Sequence, residues 1–387
     1  MVKCNVCQLS IENPLYVSEN NLSITSLCEI YPQETEVFFC HHCGHLQTTE
    51  INNIAEYYDQ TYKILIDTEE EDQLYKVIES KKIFRIDHQV QVLLEKLTLP
   101  ENSLMLDYGC AKSATLKKLV QNRPDITPHL FDVSEMYIPF WEKFAKPENW
   151  STYSLKPEWH EYFDLVTSFF SLEHVVDPRS MLCKIQELLK PGSFFYCIVP
   201  NIYTNTADFV VLDHVNHFSE TSLQFLLEDI GFQSITIDAD AHYGSFVIVA
   251  QKPHLPVKTS SPLVVKQNVE AIYTKAMEMA NYWEVISNKV TEFEEEHKNA
   301  KQSAIYGSGF YGTFIATCLK DLDRVKYFID QNPYRQGKSL FGKPIIAPSE
   351  LSDEIQVIYV GLNPKTASSS IESIDCWKGR NHLYFNL

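Results

Sequence analysis

The stretch Leu104-Met-Leu-Asp-Tyr-Gly-Cys-Ala-Lys-Ser-Ala-Thr-Leu-Lys-Lys-Leu119 constrains the fold more than any other part of the chain. An apolar run suited to a buried strand meets Gly109, where the backbone can turn tightly, and helical spacing follows at once. A second apolar run, His129-Leu-Phe-Asp132, ends in an acid. Strand, glycine turn, helix and an acid closing the next strand is how a doubly wound α/β domain holds an adenosine-containing ligand. The turn presents backbone N–H groups, and the acid accepts hydrogen bonds from ribose hydroxyls.

The pattern continues downstream. Phe163–Phe169 and Phe194–Val199 read as strands, separated by a helix at Arg179–Leu189 that Lys190-Pro-Gly192 closes. A helix at Ser219–Ile230 precedes the runs Gln233–Ala239 and Gly244–Gln251, which read as a closing antiparallel pair. Such alternation predicts a mostly parallel sheet with helices on both faces.

At 387 residues the chain has room for two or three domains. Its net charge is −18 and no basic run stands out, which argues against a nucleic-acid polymer as partner. No stretch approaches ~18 consecutive apolar residues, so no membrane partner is expected, and the reading is a soluble, cytoplasmic monomer or homodimer acting on a small molecule. Of ten cysteines, four form two C-x-x-C pairs, Cys4-Asn-Val-Cys7 and Cys40-His-His-Cys43. In a chain of this kind such pairs mean metal or redox chemistry rather than a disulfide frame. Two knuckles brought together make a tetrahedral sulfur site, so residues 1–52 read as a module holding structural Zn2+. The alternative is unligated thiols or a redox pair. His41, His42 and His45 read as bystanders or occasional ligand substitutes, and Cys28 as packed in a hairpin inserted between the pairs.

Residues 53–98 read as a helical, tyrosine-rich cap, with helical apolar spacing from Asp72 to Leu97 and a charge run at Glu69–Asp72. Tyr57, Tyr58 and Tyr62 are candidates for a substrate cleft. Residues 99–254 form the core domain. Residues 255–300 carry a Pro/Ser/Thr-containing linker, Pro253–Pro262, and a long amphipathic helix over Val264–Gln302. Residues 301–387 repeat the α/β pattern: strand Ser303–Tyr306, loop Gly307-Ser-Gly-Phe-Tyr-Gly312, helix Thr313–Leu319, then a strand ending in Asp330. As printed motifs, the Gly307/Gly309/Gly312 loop scores above Gly109-Cys-Ala-Lys-Ser113 for a dinucleotide, which keeps a dehydrogenase reading open. The Gly109 loop lacks the later glycines that a pyrophosphate demands, and suits S-adenosyl-L-methionine better.

Asp164-Leu-Val-Thr-Ser-Phe-Phe-Ser-Leu-Glu-His174, Asp177-Pro and Leu188-Leu-Lys-Pro-Gly192 resemble the middle of class I methyltransferases, with Ser193 where a second glycine is usual. The module order resembles the sugar C-methyltransferase family: a four-cysteine start, a tyrosine-rich cap, the core, and a last domain with Phe328-Ile-Asp-Gln-Asn-Pro333, Gln336-Gly-Lys338 and Phe341-Gly-Lys-Pro-Ile345. The resemblance implies an α/β fold with a class I methyltransferase Rossmann-like core and a second C-terminal Rossmann-like domain. It also implies S-adenosyl-L-methionine as cofactor and C-methylation of a keto-deoxysugar carried on a nucleotide, through an enolate.

For such chemistry a base must remove a proton beside the ketone and a donor must steady the oxyanion. The run Val211-Leu-Asp-His214-Val-Asn-His217-Phe-Ser219 is similar to the family's "YHEHLSYFS". By that likeness His214 is the base, and Asp213 and His217 belong to the same group. Val211 stands where the family has tyrosine. His174 reads as structural, and His242 and Tyr243 as further substrate contacts. Cofactor contacts are expected from Asp107, Gly109, Cys110, Asp132, Phe169 and Phe170, with Asp107 able to organise the loop instead. Two alternatives stay open: methylation of another acceptor such as a hydroxyl, or a nucleotide-sugar-binding protein without methyl transfer, which Ala111 and Ser113 in the loop motivate.

Overall fold

The computed structural model describes residues 2–18, 23–53, 57–58, 62, 72–78, 81–255, 266–300 and 302–387. Residues 54–56 and 59–61 of the tyrosine-rich run, Glu69–Glu71 of the charge run and the linker from Pro256 to Pro262 lie outside them. The chain divides into two compact units. One comprises Met1–Val17, Glu36–Asp208 and Leu212–Ala276; the other comprises Ser18–Thr35, Phe209–Val211 and Met277–Leu387.

The first unit is built on a seven-stranded sheet. Helix α1 (Arg85–Lys96) leads into β1 (Leu104–Tyr108), α2 (Ala114–Asn122), β2 (Thr127–Asp132), the short β3 (Trp150–Thr152) and β4 (Phe163–Phe169). Helix α3 (Pro178–Leu188), β5 (Leu189–Pro200), α4 (Glu220–Ile230), β6 (Gln233–Asp238) and β7 (Ser245–Gln251) complete it. The strand order is β3-β2-β1-β4-β5-β7-β6, with β7 antiparallel to both neighbours. This is the class I methyltransferase Rossmann-like arrangement. The side-chain alternation of a strand loads both faces. Met105 packs with Leu116, Leu130 and Trp141, while its neighbour Leu106 packs with Val166, Leu182 and Phe195 on the other face.

Helix ends follow local chemistry. Asp177 caps α3 by accepting the Ser180 N–H at 2.9 Å, and Pro178 opens the helix where no N–H is needed. Ser219 caps α4 with a reciprocal bond to Ser222.

Three local expectations differ from the structure. The helix does not begin at Asp72: Leu74–Ile78 and Lys81–Phe84 pair as an antiparallel hairpin, and only Arg85–Lys96 is helical. Val77 and Ile78 are β-branched and exposed, so they supply no buried helical stripe, whereas Val90, Val92 and Leu93 of α1 are buried. Lys190-Pro-Gly192 is already strand rather than a helix stop. The strand β3 was not foreseen, being only three residues long.

At the N-terminus of this unit, Tyr16–Val17, Glu36–Phe39 and Leu46–Thr48 form a small antiparallel sheet, and Asn216–His217 adds to its edge. Helix α5 (Lys266–Glu296) starts in this unit and ends in the other.

In the second unit β8 (Ser303–Tyr306), α6 (Phe310–Cys318), β9 (Val325–Ile329), β10 (Lys343–Ile346), β11 (Val357–Val360) and β12 (Leu383–Asn386) build a sheet whose parallel strands run in the order β10-β9-β8-β11-β12, with Ser339–Leu340 antiparallel at the β10 edge. The inserted hairpin, Ser23–Ile24 paired with Ile30–Tyr31, belongs to this unit, with Cys28 buried at its turn.

Candidate active site

The first unit carries a cavity of about 880 Å³ at the carboxyl ends of β1, β2 and β4. One wall is the loop between β1 and α2. Gly109 takes φ +66°, and its N–H donates to the Phe131 carbonyl at 2.8 Å. A Cβ there would lie 2.1 Å from the Ser171 Oγ, so the position demands glycine for shape as well as conformation. Ala111 and Ser113 also adopt left-handed backbone, at +44° and +51°. Ordinary residues hold these conformations because side chains clamp the loop. Asp132 accepts the Ala111 N–H at 2.7 Å, Asp107 accepts the Ser113 hydroxyl at 2.6 Å, and the Trp141 indole donates to the Ala111 carbonyl at 2.7 Å.

The two acids differ in reach. Asp107 also accepts from the Thr167 hydroxyl at 3.0 Å and does not line the cavity; its work is on the loop. Asp132 does line it. Burial pushes Asp132 up to about 6 and Asp107 up to about 7. Gly109, Cys110, Phe169 and Phe170 join Asp132 on the cavity wall, and burial raises the Cys110 thiol above its ordinary range.

Tyr58, Tyr62, Arg85 and His174 also line the cavity. The Arg85 guanidinium lies 3.8 Å over the Phe170 ring and donates to Gln73 Oε1 at 2.6 Å. With Lys112 and Lys184 it gives this acidic protein a local set of cations along the cavity.

His174 Nδ1 donates to the Asp213 carbonyl at 2.9 Å, and its ring meets His214 edge to face at 4.6 Å. Tyr58 donates to the same carbonyl at 3.0 Å, and the Tyr62 hydroxyl lies 3.4 Å from His174 Nε2. His214 sits behind His174, outside the cavity lining. Its Nδ1 donates to Asp208 at 2.5 Å, and His217 Nδ1 donates to the second Asp208 oxygen at 3.3 Å. Burial opposes charge on His214, but the Asp208 carboxylate outweighs it and lifts the imidazole to about 9. Burial and the neighbouring His214 hold His174 down at about 4. Glu173 is 1% exposed, neither carboxylate oxygen has a hydrogen-bond partner, and burial pushes it up to about 8.

Several expected contacts lie elsewhere. Asp213 and His217 are fully buried and do not reach the cavity; His217 Nε2 instead meets the Thr48 hydroxyl at 2.6 Å. Tyr57 is buried behind Tyr58, 3.4 Å from an Asp213 oxygen. His242 packs against Phe170, Tyr75 and His88, and Tyr243 is exposed, so neither lines the cavity. His174, set aside as structural, is the imidazole on the wall. Asp208 and Arg85 carry no local signal in sequence: nothing in the spacing ties an acid to an imidazole six positions on, or a helix-start arginine to a distant cavity.

The four knuckle thiols converge. Sγ–Sγ distances are 3.6 Å for Cys4–Cys43 and 3.5 Å for Cys7–Cys40, and all four sulfurs lie within 4.8 Å of one another. That is too long for a disulfide and matches the edge of a tetrahedron with metal–sulfur bonds of about 2.3 Å. Gly44 follows with φ +71°, and its N–H donates to the Cys40 carbonyl.

In the second unit the Gly307 loop has a packing account of its own. A Cβ on Gly307 would meet the Gly361 carbonyl at 2.1 Å, and one on Gly312 the Gly307 carbonyl at 2.0 Å. Asp330 accepts from the Ser308 N–H at 3.1 Å and from the Ser308 hydroxyl at 2.5 Å, and so ties down the loop.

A family model described as a methyltransferase domain matches residues 81–237, which include the Gly109–Ser113 loop, Asp132 and His174 of the cavity wall but not Tyr58, Tyr62 or Asp72. No curated protein matches the chain in sequence. Among solved structures, a S-adenosylmethionine-dependent methyltransferase from Aquifex aeolicus is similar at 20% identity, covering 42% of this chain and 88% of that one with a TM-score of 0.35. One from Archaeoglobus fulgidus is 17% identical over 43% of this chain and 94% of that one, TM-score 0.35. The CurJ carbon methyltransferase is 16% identical over 41% of this chain and 51% of that one, TM-score 0.35. With the matched domain, the strand order and the clamped loop beside Asp132 in hand, the chain is a methyltransferase dependent on S-adenosylmethionine.

Proposed function

We propose that the protein methylates carbon beside the ketone of a nucleotide-linked deoxysugar. In this reading S-adenosylmethionine lies along the Gly109–Ser113 loop, with its ribose hydroxyls on Asp132 and its methyl group toward Phe169, Phe170 and His174. Activation of the acceptor falls to the His174/His214 pair, which Asp208 backs and orients. The observation that carries the reading is that one cavity is lined by both the cofactor loop and His174, whose ring meets His214 behind it. Arg85, Lys112 and Lys184 along the same wall suit an anionic ligand group such as a nucleotide diphosphate. Tyr58 and Tyr62 supply hydroxyls on the cavity wall. The four thiolates hold zinc as a structural ion, and the enzyme works in the cytoplasm. In support, every cysteine among the described residues is free, and no helix there is long and apolar enough to cross a membrane.

Deuterium exchange tests this reading. In D2O with S-adenosylhomocysteine, the protein should wash deuterium into the carbon beside the ketone of a nucleotide-linked keto-deoxysugar. His214→Ala should abolish exchange yet bind S-adenosylmethionine within about threefold of wild type. Methyl transfer to a hydroxyl with no exchange would move the chain to the O-methylation reading.

A further inference from the structure

Glu173 is the group that the methyl-transfer reading leaves unexplained. Its carboxylate is buried inside the unit, and neither oxygen accepts a hydrogen bond. Buried carboxylates are ordinarily hydrogen-bonded, ion-paired or bound to metal. Its surroundings supply two imidazoles: one ligand atom from each of Glu173, His174 and His214 falls within 4.8 Å of the others. Both rings are held with Nδ1 occupied. His214 Nδ1 donates to Asp208 at 2.5 Å, and His174 Nδ1 donates to the Asp213 carbonyl at 2.9 Å. Carboxylate and carbonyl oxygens accept only, so each Nδ1 carries a proton and Nε2 is the nitrogen left to ligate, which in His214 requires the cation to displace the second proton that Asp208 favours. An imidazole oriented through its second nitrogen by a carboxylate or carbonyl is the usual support of a metal-binding histidine.

We propose that Glu173, His174 and His214 bind a divalent transition-metal cation at the acceptor end of the methyl-transfer cavity. Two nitrogens and one carboxylate oxygen suit zinc, manganese, iron or cobalt rather than magnesium, which prefers oxygen alone. His174 is the ligand on the cavity wall, so the remaining coordination positions open there. What they take follows from the methyl-transfer reading, on which this part rests: a ketone oxygen, with or without an adjacent hydroxyl, of the acceptor. The cation then polarises the acceptor, and the imidazoles serve as ligands rather than as proton acceptors. This site is distinct in chemistry from the four-thiolate knuckle, which offers sulfur alone.

Cobalt separates the two. Full-length protein stripped by chelator is titrated with Co2+ while its spectrum is followed. The knuckle gives intense sulfur-to-metal bands; the proposed site gives weak d–d bands and no sulfur charge transfer. Wild type should take two equivalents, and Glu173→Gln should lose the second or bind it at least tenfold more weakly while the sulfur bands stay. Asp208→Asn, which removes no ligand, should weaken the second equivalent about 10–100-fold. Circular dichroism of each variant reads the fold independently. One equivalent in wild type with sulfur bands only, or a second equivalent indifferent to both substitutions, overturns the proposal. Calorimetry with S-adenosylmethionine on the same samples keeps the two ideas apart. Cofactor binding without a second cation sinks this site alone and leaves the imidazoles as proton acceptors. A second cation without cofactor binding sinks the methyl-transfer reading alone.

Discussion

Three left-handed residues set the shape of the cofactor loop, and they do not bear substitution alike. Gly109 has no room for a side chain, so Gly109→Ala should displace Ser171 and reduce affinity for S-adenosylmethionine at least tenfold in a calorimetric titration. Ala111 carries its own strain. Removing the Cβ in Ala111→Gly should relieve up to about 1 kcal/mol of conformational cost, offset in part by the freedom that glycine gives the unfolded chain. Thermal unfolding within a degree or two of wild type, with cofactor binding retained, is the expected result. Asp132 gives the loop a pH signature. Burial holds its carboxyl at about 6, and ribose hydroxyls donate to the ionised form. Cofactor binding should therefore strengthen as pH rises through 6 and level off above it. Asp132→Asn should flatten that rise and weaken binding about tenfold to a hundredfold. A pH-independent affinity in wild type would show that the ribose does not meet this acid. The acids and Gly109 were legible in sequence because strand-end acids and turn glycines answer to local rules. Asp208 and Arg85 were not, because what makes them matter is a neighbour brought close only by the fold.

Among the elements, the short strand Asn216–His217 ties chemistry to scaffold. It pairs with Leu46 and Gln47 beside the cysteine knuckle, and Asn216 also bonds the Asn5 side chain at 3.0 Å and the Val175 carbonyl at 2.6 Å. The knuckle thus supports the segment that carries His214 and His217. Cys40→Ser should lower the melting temperature by at least about 5 °C and reduce turnover, while cofactor affinity stays within about threefold. Unchanged melting would mean that the thiols carry no structural ion. Most elements of the α/β core were readable to within a residue or two, since each buries a face of matching period; β5 starts five residues before the expected Phe194, and β3 was missed. The hairpin Leu74–Ile78/Lys81–Phe84 was misread as helix because residues such as Ile83 and Ile86 fall at a spacing that either structure can host when little is buried. The edge pairing of Asn216–His217 has no sequence signal, as its partner strand lies far up the chain.

For the molecule as a whole, the module order in sequence gave the class I core and a second α/β sheet, but not how the chain is shared between units. The segment Ser18–Thr35, which lies between the two C-x-x-C pairs, clusters with the C-terminal sheet. That assignment depends on packing from distant parts of the chain and leaves no mark in composition. The glycines of Gly307–Gly312 showed the limit of motif reading from the other side: Gly307 and Gly312 answer to backbone close approach within the fold, whereas a Cβ on Gly309 would meet nothing. Isolated protein should therefore show no measurable affinity for NAD(H), and saturable micromolar binding would contradict that account. The central claim is transfer of the cofactor methyl group to carbon in the cavity of the first unit. It is tested most directly by incubating the protein with methyl-deuterated S-adenosylmethionine and nucleotide-linked keto-deoxysugars, then locating the label by NMR. The label bonded to the carbon beside the ketone, and absent with His214→Ala, is the predicted result; a label on oxygen, or no transfer to any such acceptor, would contradict it.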